Sequence, residues 1–122
     1  MARIVLIDDD PILAALVKQA LAPSAHDLVW LDDGDDALAE IWDHNADLIV
    51  LDCGLPGKPG MIVLRDIRKT LGFERLPVLI LTSRSSQAYE ALALGEGASD
   101  YLRKPFDPTD LLARVNRLVE PG

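Results

Sequence analysis

Residues 4–11 read Ile-Val-Leu-Ile-Asp-Asp-Asp-Pro, four apolar residues running straight into three carboxylates and a proline. A continuous apolar run of this length suits a parallel strand covered on both faces. Pro11, with its fixed φ and missing N–H, suits the first turn of a helix. The stretch therefore reads as a strand passing into a helix through an acidic connection.

Working outward, the same step recurs. Apolar runs stand at Ile4–Ile7, Leu28–Leu31, Leu48–Leu51, Val78–Leu81 and Tyr101–Leu102. The last is short and is assigned by its place in the alternation. Between the runs lie segments with helical spacing of apolar residues. Ile12-Leu13, Leu16-Val17 and Ala20-Leu21 form the first stripe; Ala37-Leu38 and Ile41-Trp42 form the second, behind Asp35-Asp36. Met61, Leu64, Ile67-Arg68 and Leu71 form the third, with Gly72 placed to end it. Ala88, Leu92 and Leu94 suggest a fourth, closed by the Gly95–Gly97 region. Leu111-Leu112, Val115 and Leu118-Val119 form the fifth, with Asp107 as N-cap and Pro108 at its first position. The order βαβαβαβαβα predicts an α/β fold, a doubly wound five-stranded parallel sheet with right-handed crossovers. Neither repeats nor a linker interrupt it, so residues 1–122 are expected to form one domain.

Composition agrees. The 122 residues are 49% hydrophobic and 26% charged, an ordinary globular balance. No apolar run approaches the ~20 residues that span a bilayer, and Met1-Ala2-Arg3 leads directly into the first strand, so neither membrane nor signal peptide is expected. A lone cysteine, Cys53, forms no internal disulfide or zinc cluster and points to a reducing cytoplasm. Residues 1–61 hold 3 Lys/Arg against 12 Asp/Glu, while residues 62–122 hold 9 against 8. The net charge of −8 disfavours direct binding of nucleic acid by this chain.

In doubly wound sheets ligands bind beyond the C-terminal ends of the strands. Asp8 and Asp9 end the first strand and Asp52 the third, its expected neighbour. Three carboxylates at one edge repel unless a cation intervenes, and such oxygen ligands suit Mg²⁺. Thr82 at the end of the fourth strand offers a hydroxyl, and Lys104 after the fifth offers an ammonium. A carboxylate nucleophile, a hard cation and a point positive charge are what phosphoryl transfer to an aspartate requires.

These residues carry a resemblance. IVLIDDDP (4–11), DLIVLDCGLPGKPG (47–60), PVLILTS (77–83), GASDYLRKPF (97–106) and LLARV (111–115) resemble, in order and over essentially the whole chain, the receiver domain of two-component response regulators. The spacing of 30 residues from Asp52 to Thr82 and 22 from Thr82 to Lys104 is as that family has it. The resemblance implies a flavodoxin-like (βα)5 fold with strand order 2-1-3-4-5. It makes Asp52 the phosphoacceptor for a sensor histidine kinase or phosphotransfer protein. Asp9, Asp52 and the backbone carbonyl of Gly54 would hold Mg²⁺ (with Mn²⁺ as a substitute), and Asp8 would act through water. Thr82 and the Ser83 N–H would meet the phosphoryl oxygens, and Lys104 would pair with Asp52 or its phosphoryl group. Tyr101 would turn inward as Thr82 moves, and the Lys104-Pro105 bond would be cis, aiming the lysine into the pocket. Such a protein is a regulatory phosphoacceptor, catalysing only its own phosphoryl transfer and dephosphorylation, rather than an enzyme.

Residues 55–57 (LPG) and the LLARV segment resemble the winged-helix DNA-binding subfamily. There, activated receivers form homodimers through the fourth helix, fifth strand and fifth helix. Asp100, Asp110 and Arg114 match that charged face, whereas Ala88 and Glu90 depart from it. Gly54 and Arg84 stand at positions that tune phosphoryl lifetime, in opposite senses. Beginning near residue 3 and stopping after the fifth helix, the chain is expected to be a stand-alone regulator or an N-terminal domain excised from a DNA-binding one.

Other features read more plainly. Asp10 suits a helix N-terminus, and Asp32, Asp33, Asp35 and Asp36 a solvated edge capping the second helix. Cys53 reads as a small packed residue, and Trp30 and Trp42 as core or flank packing. His26 and His44 fall in no ligand pattern. An interaction module of the same fold that never takes phosphate is the alternative, against which the full set of five site residues argues. A flavin carrier would need a phosphate cradle where three aspartates stand.

Overall fold

The computed structural model describes residues 2–52, 59–83 and 87–120. Its elements run β1 (Arg3–Ile7), α1 (Pro11–Leu21), β2 (Asp27–Leu31), α2 (Ala37–Asp43), β3 (Leu48–Leu51), α3 (Gly60–Lys69), β4 (Val78–Thr82), α4 (Gln87–Gly95), β5 (Asp100–Arg103) and α5 (Pro108–Val119). The strands form one parallel sheet in the order β2-β1-β3-β4-β5.

The continuous apolar runs become central strands because successive side chains meet a core on each face. Val5, Ile7, Ile49, Leu51, Val78 and Ile80 pack with Ala37 and Ile41 of α2, Val63, Leu64 and Ile67 of α3, and Ala93 of α4. Ile4, Leu6, Leu48, Val50, Leu79 and Leu81 face the other way, onto Leu13, Val17 and Leu21 of α1 and Leu111 and Val115 of α5. β1 lies between β2 and β3, so the acidic β1–α1 connection stands beside the end of β3 on the C-terminal edge.

Helix termini follow local chemistry. Asp10 accepts the Ile12 N–H at 2.9 Å ahead of Pro11, and Asp107 accepts the Thr109 N–H at 2.8 Å ahead of Pro108. The acidic start of α2 differs from expectation. Asp36 occupies the N-cap position without a side-chain cap bond, and Asp33 instead accepts the Asp35 N–H at 2.9 Å. Two apolar stripes also need correction. Leu71 lies past the end of α3 and is 86% exposed. In α4 Ala93 is buried and Tyr89, one turn earlier, packs partly buried against the same cluster, while Leu92 and Leu94 face solvent.

Gly97 (φ +106°) lies within the α4–β5 connection, and a Cβ there would lie 2.9 Å from the Arg68 side chain. Arg68 fills that space and donates to the carbonyls of Gly97 (2.9 Å) and Phe73 (3.1 Å). Beside it, Arg65 and Glu96 pair at 3.0 Å, so α3 is fastened to the end of α4.

Candidate functional site

The strand ends bring together the five residues that the sequence singles out. β1 delivers Asp8 and Asp9, β3 delivers Asp52, β4 ends in Thr82, and Lys104 follows β5. Asp8, Asp52 and Thr82 are the buried polar residues among those described. One carboxylate oxygen from each of Asp8, Asp9 and Asp52 falls within 4.8 Å of the others. The Lys104 Nζ stands 3.3 Å from Asp8 Oδ2 and 3.5 Å from Asp52 Oδ1. The Lys104-Pro105 peptide is cis, and the Lys104 N–H donates to the Thr82 carbonyl at 2.8 Å.

The electrostatics of this edge suit a cation. Burial pushes the Asp8 carboxyl above its ordinary value, and the charge of Asp52 adds to the rise. The Asp10 N–H, which donates to Asp8 Oδ1 at 2.9 Å, and the Lys104 ammonium act in the opposite direction. One lysine facing two buried acids, with exposed Asp9 alongside, leaves negative charge in excess. Hard oxygen donors with an open side fit Mg²⁺ rather than a softer metal.

The remaining expected residues differ in their placement. Ser83 is exposed and borders an apolar groove lined by Leu13, Leu16, Ala20, Pro105 and Phe106. Tyr101 is buried, its ring edge-on to Tyr89 at 6.3 Å. Asp100, Asp110 and Arg114 are paired within the chain: Arg114 donates to Asp100 at 2.9 Å, to Asp110 at 3.0 Å and to the Tyr101 carbonyl at 3.3 Å, while Arg117 reaches Asp100 at 3.1 Å. Cys53, Gly54, the segment 55–57 and Arg84 lie outside the described residues.

Trp42 packs at the flank, its ring 5.7 Å from that of Phe73. His44 Nε2 lies 3.2 Å from Glu40, and His26 links Ala2 N to Asn116 Oδ1, each bond 2.9 Å. Sequence reasoning missed Trp30. Its indole N–H donates to the backbone carbonyl of Asp8 at 2.7 Å, a partner 22 residues away that no side-chain pattern signals.

Comparison with known proteins agrees with the geometry. The family model for the response regulator receiver domain matches residues 4–116. The transcriptional regulatory protein CpxR of Klebsiella pneumoniae is 38% identical over 119 residues, 98% of this chain and 50% of CpxR, so the chain spans about half the length of that relative. Among solved structures, the BeF3-activated N-terminal receiver domain of Klebsiella pneumoniae RstA superposes with a TM-score of 0.88 at 38% identity, covering 98% of this chain and 99% of the other. The Mn²⁺-bound form of response regulator Rcp1 gives 0.80 at 28% identity, covering 97% and 91%. With fold, site and relatives in agreement, the chain belongs to the receiver domain family of two-component response regulators.

Proposed function

We propose that residues 1–122 act as a cytoplasmic phosphorylation switch in which Asp52 accepts a phosphoryl group from the phosphohistidine of a sensor histidine kinase or phosphotransfer protein. The observation that carries this reading is the convergence of Asp52 with Asp8, Asp9 and the Lys104 ammonium at one sheet edge. A carboxylate oxygen of Asp52 attacks phosphorus as the P–N bond to the donor imidazole breaks. The bonding pair leaves with that nitrogen. Asp9 and Asp52, with Asp8 behind them and the Gly54 carbonyl that the family pattern adds, would hold Mg²⁺, which would supply charge neutralisation for the phosphoryl oxygens. In support, the similar RstA receiver domain has a BeF3-activated form and the similar regulator Rcp1 a Mn²⁺-bound form.

The chain's own groups do the rest. Lys104 offsets the two buried acids before transfer and follows the added charge of roughly −1.5 to −2 afterwards. Thr82 and the Ser83 N–H receive phosphoryl oxygens. The apolar groove that borders Ser83 and Lys104 continues the site outward. Thr82 ends β4 beside β5, and Tyr101 of β5 packs on Tyr89 of α4, so the phosphoryl group would favour one arrangement of the α4–β5–α5 face. That face, with exposed Leu92 and Leu94 and the Asp100–Arg114 pair, is where activation changes partner binding or homodimerisation.

Two-dimensional NMR with Mg²⁺ and beryllofluoride tests this reading. Changes at Asp8–Asp10, Asp52, Thr82, Ser83 and Tyr101–Lys104 are expected, extending into α4. Unchanged spectra at saturating reagent would overturn it.

A further inference from the structure

We infer that Trp30 is a positioning residue for the divalent cation, because its indole N–H fixes the peptide unit from which Asp9 departs. This deepens the Mg²⁺ reading given above and rests on it.

Trp30 stands opposite Leu6 in the β1–β2 register, on the side of the sheet covered by α1 and α5. β2 is an edge strand, and Trp30 remains 43% exposed. The ring is thus only partly covered. Its N–H is instead spent on the Asp8 carbonyl at 2.7 Å, a short and well-formed bond. On the other side of the same residue, the Asp8 N–H donates to the Leu31 carbonyl at 3.0 Å. β2 thus grips both backbone polar groups of Asp8, one by the ladder and one by a side chain.

The consequence reaches Asp9. The Asp8 carbonyl and the Asp9 N–H belong to one planar peptide unit, so orienting the carbonyl orients the start of Asp9. The neighbouring carboxylates have their own restraints, since Asp8 is tied by Asp10 N–H and Lys104, and Asp52 by Lys104. Asp9 is exposed, and no hydrogen bond or ion pair to a described residue holds its carboxylate. Its approach to the other two therefore depends on the backbone that Trp30 pins. Groups that orient metal ligands tune affinity even when they never touch the ion.

The test is Mg²⁺ titration by calorimetry of wild-type protein, Trp30→Phe and Trp42→Phe, the last removing the tryptophan that packs on Phe73. Phenylalanine keeps a ring but removes the donor. Trp30→Phe is expected to weaken Mg²⁺ binding about 3- to 10-fold, the range for losing one hydrogen bond, with Trp42→Phe unchanged. In an Asp9→Asn background, Trp30→Phe should cost little more, because the two act along one route. In unaltered protein, Mg²⁺ should slow hydrogen exchange of the Trp30 indole N–H and leave that of Trp42 as it was. Equal affinity in wild type and Trp30→Phe, equal losses in both backgrounds, or no change in indole exchange would overturn the role of Trp30 alone. Failure of the wild type to bind Mg²⁺ would overturn the metal reading and this inference with it.

Discussion

The ammonium of Lys104 stands 3.5 Å from Asp52 Oδ1 while also reaching Asp8 Oδ2 at 3.3 Å, so one cation bridges the first and third strands from beyond the fifth. Removing it leaves two buried carboxylates facing each other. Lys104→Met should therefore destabilise the metal-free protein at neutral pH by about 1–3 kcal/mol, the cost of a buried polar group losing its partner. Saturating Mg²⁺ should recover most of that loss. Urea denaturation with and without Mg²⁺ measures both.

Asp8 gives a pH signature. Its folded-state value lies above the unfolded one, chiefly through burial, so the native state holds the proton more tightly. Its favourable contribution is complete below the unfolded value and is lost as pH rises through the folded one. Asp8→Asn should thus raise the melting temperature of metal-free protein at neutral pH, and the gain should vanish in acid. A gain that persists in acid would point to a cause other than charge.

Arg68 and Gly97 are a matched pair. Gly97→Ala places a Cβ 2.9 Å from the Arg68 chain at φ +106° and should cost about 1–3 kcal/mol. Arg68→Ala leaves the Gly97 and Phe73 carbonyls without their donor and should cost about 1–3 kcal/mol. Because both act at one contact, the double variant should fall short of the sum. Chemical denaturation of the three variants checks this.

Thr82 should matter for the response more than for the chemistry. Thr82→Ala is expected to keep phosphoryl uptake at Asp52 while weakening the change at Tyr101 and α4. Side-chain NMR of Tyr101 in beryllofluoride-treated protein reads the difference.

Much of this architecture was legible because it rests on local signals. The strand bounds agree within one residue at each end, since continuous apolar runs have few other uses, and Asp107-Pro108 marks the start of α5 by cap chemistry alone. The gathering of Asp8, Asp9, Asp52, Thr82 and Lys104 was legible because each stands at or just past a strand end on one edge of the sheet. α4 was misread at the level of its faces: it is short, and Tyr89, a large residue with a polar tip, takes an inward position that Leu92 does not. Leu71 was misread because α3 stops two residues earlier. Trp30 was illegible for a different reason, since its partner is a backbone carbonyl brought near only by the sheet register.

The most direct test of the central claim is intact mass after incubation with acetyl phosphate and Mg²⁺, beside Asp52→Asn and a chelator control. The account predicts one added phosphoryl group, absent from both controls. An adduct of the same extent in Asp52→Asn would contradict it, as would no adduct in wild-type protein that binds Mg²⁺ and gives no response to beryllofluoride.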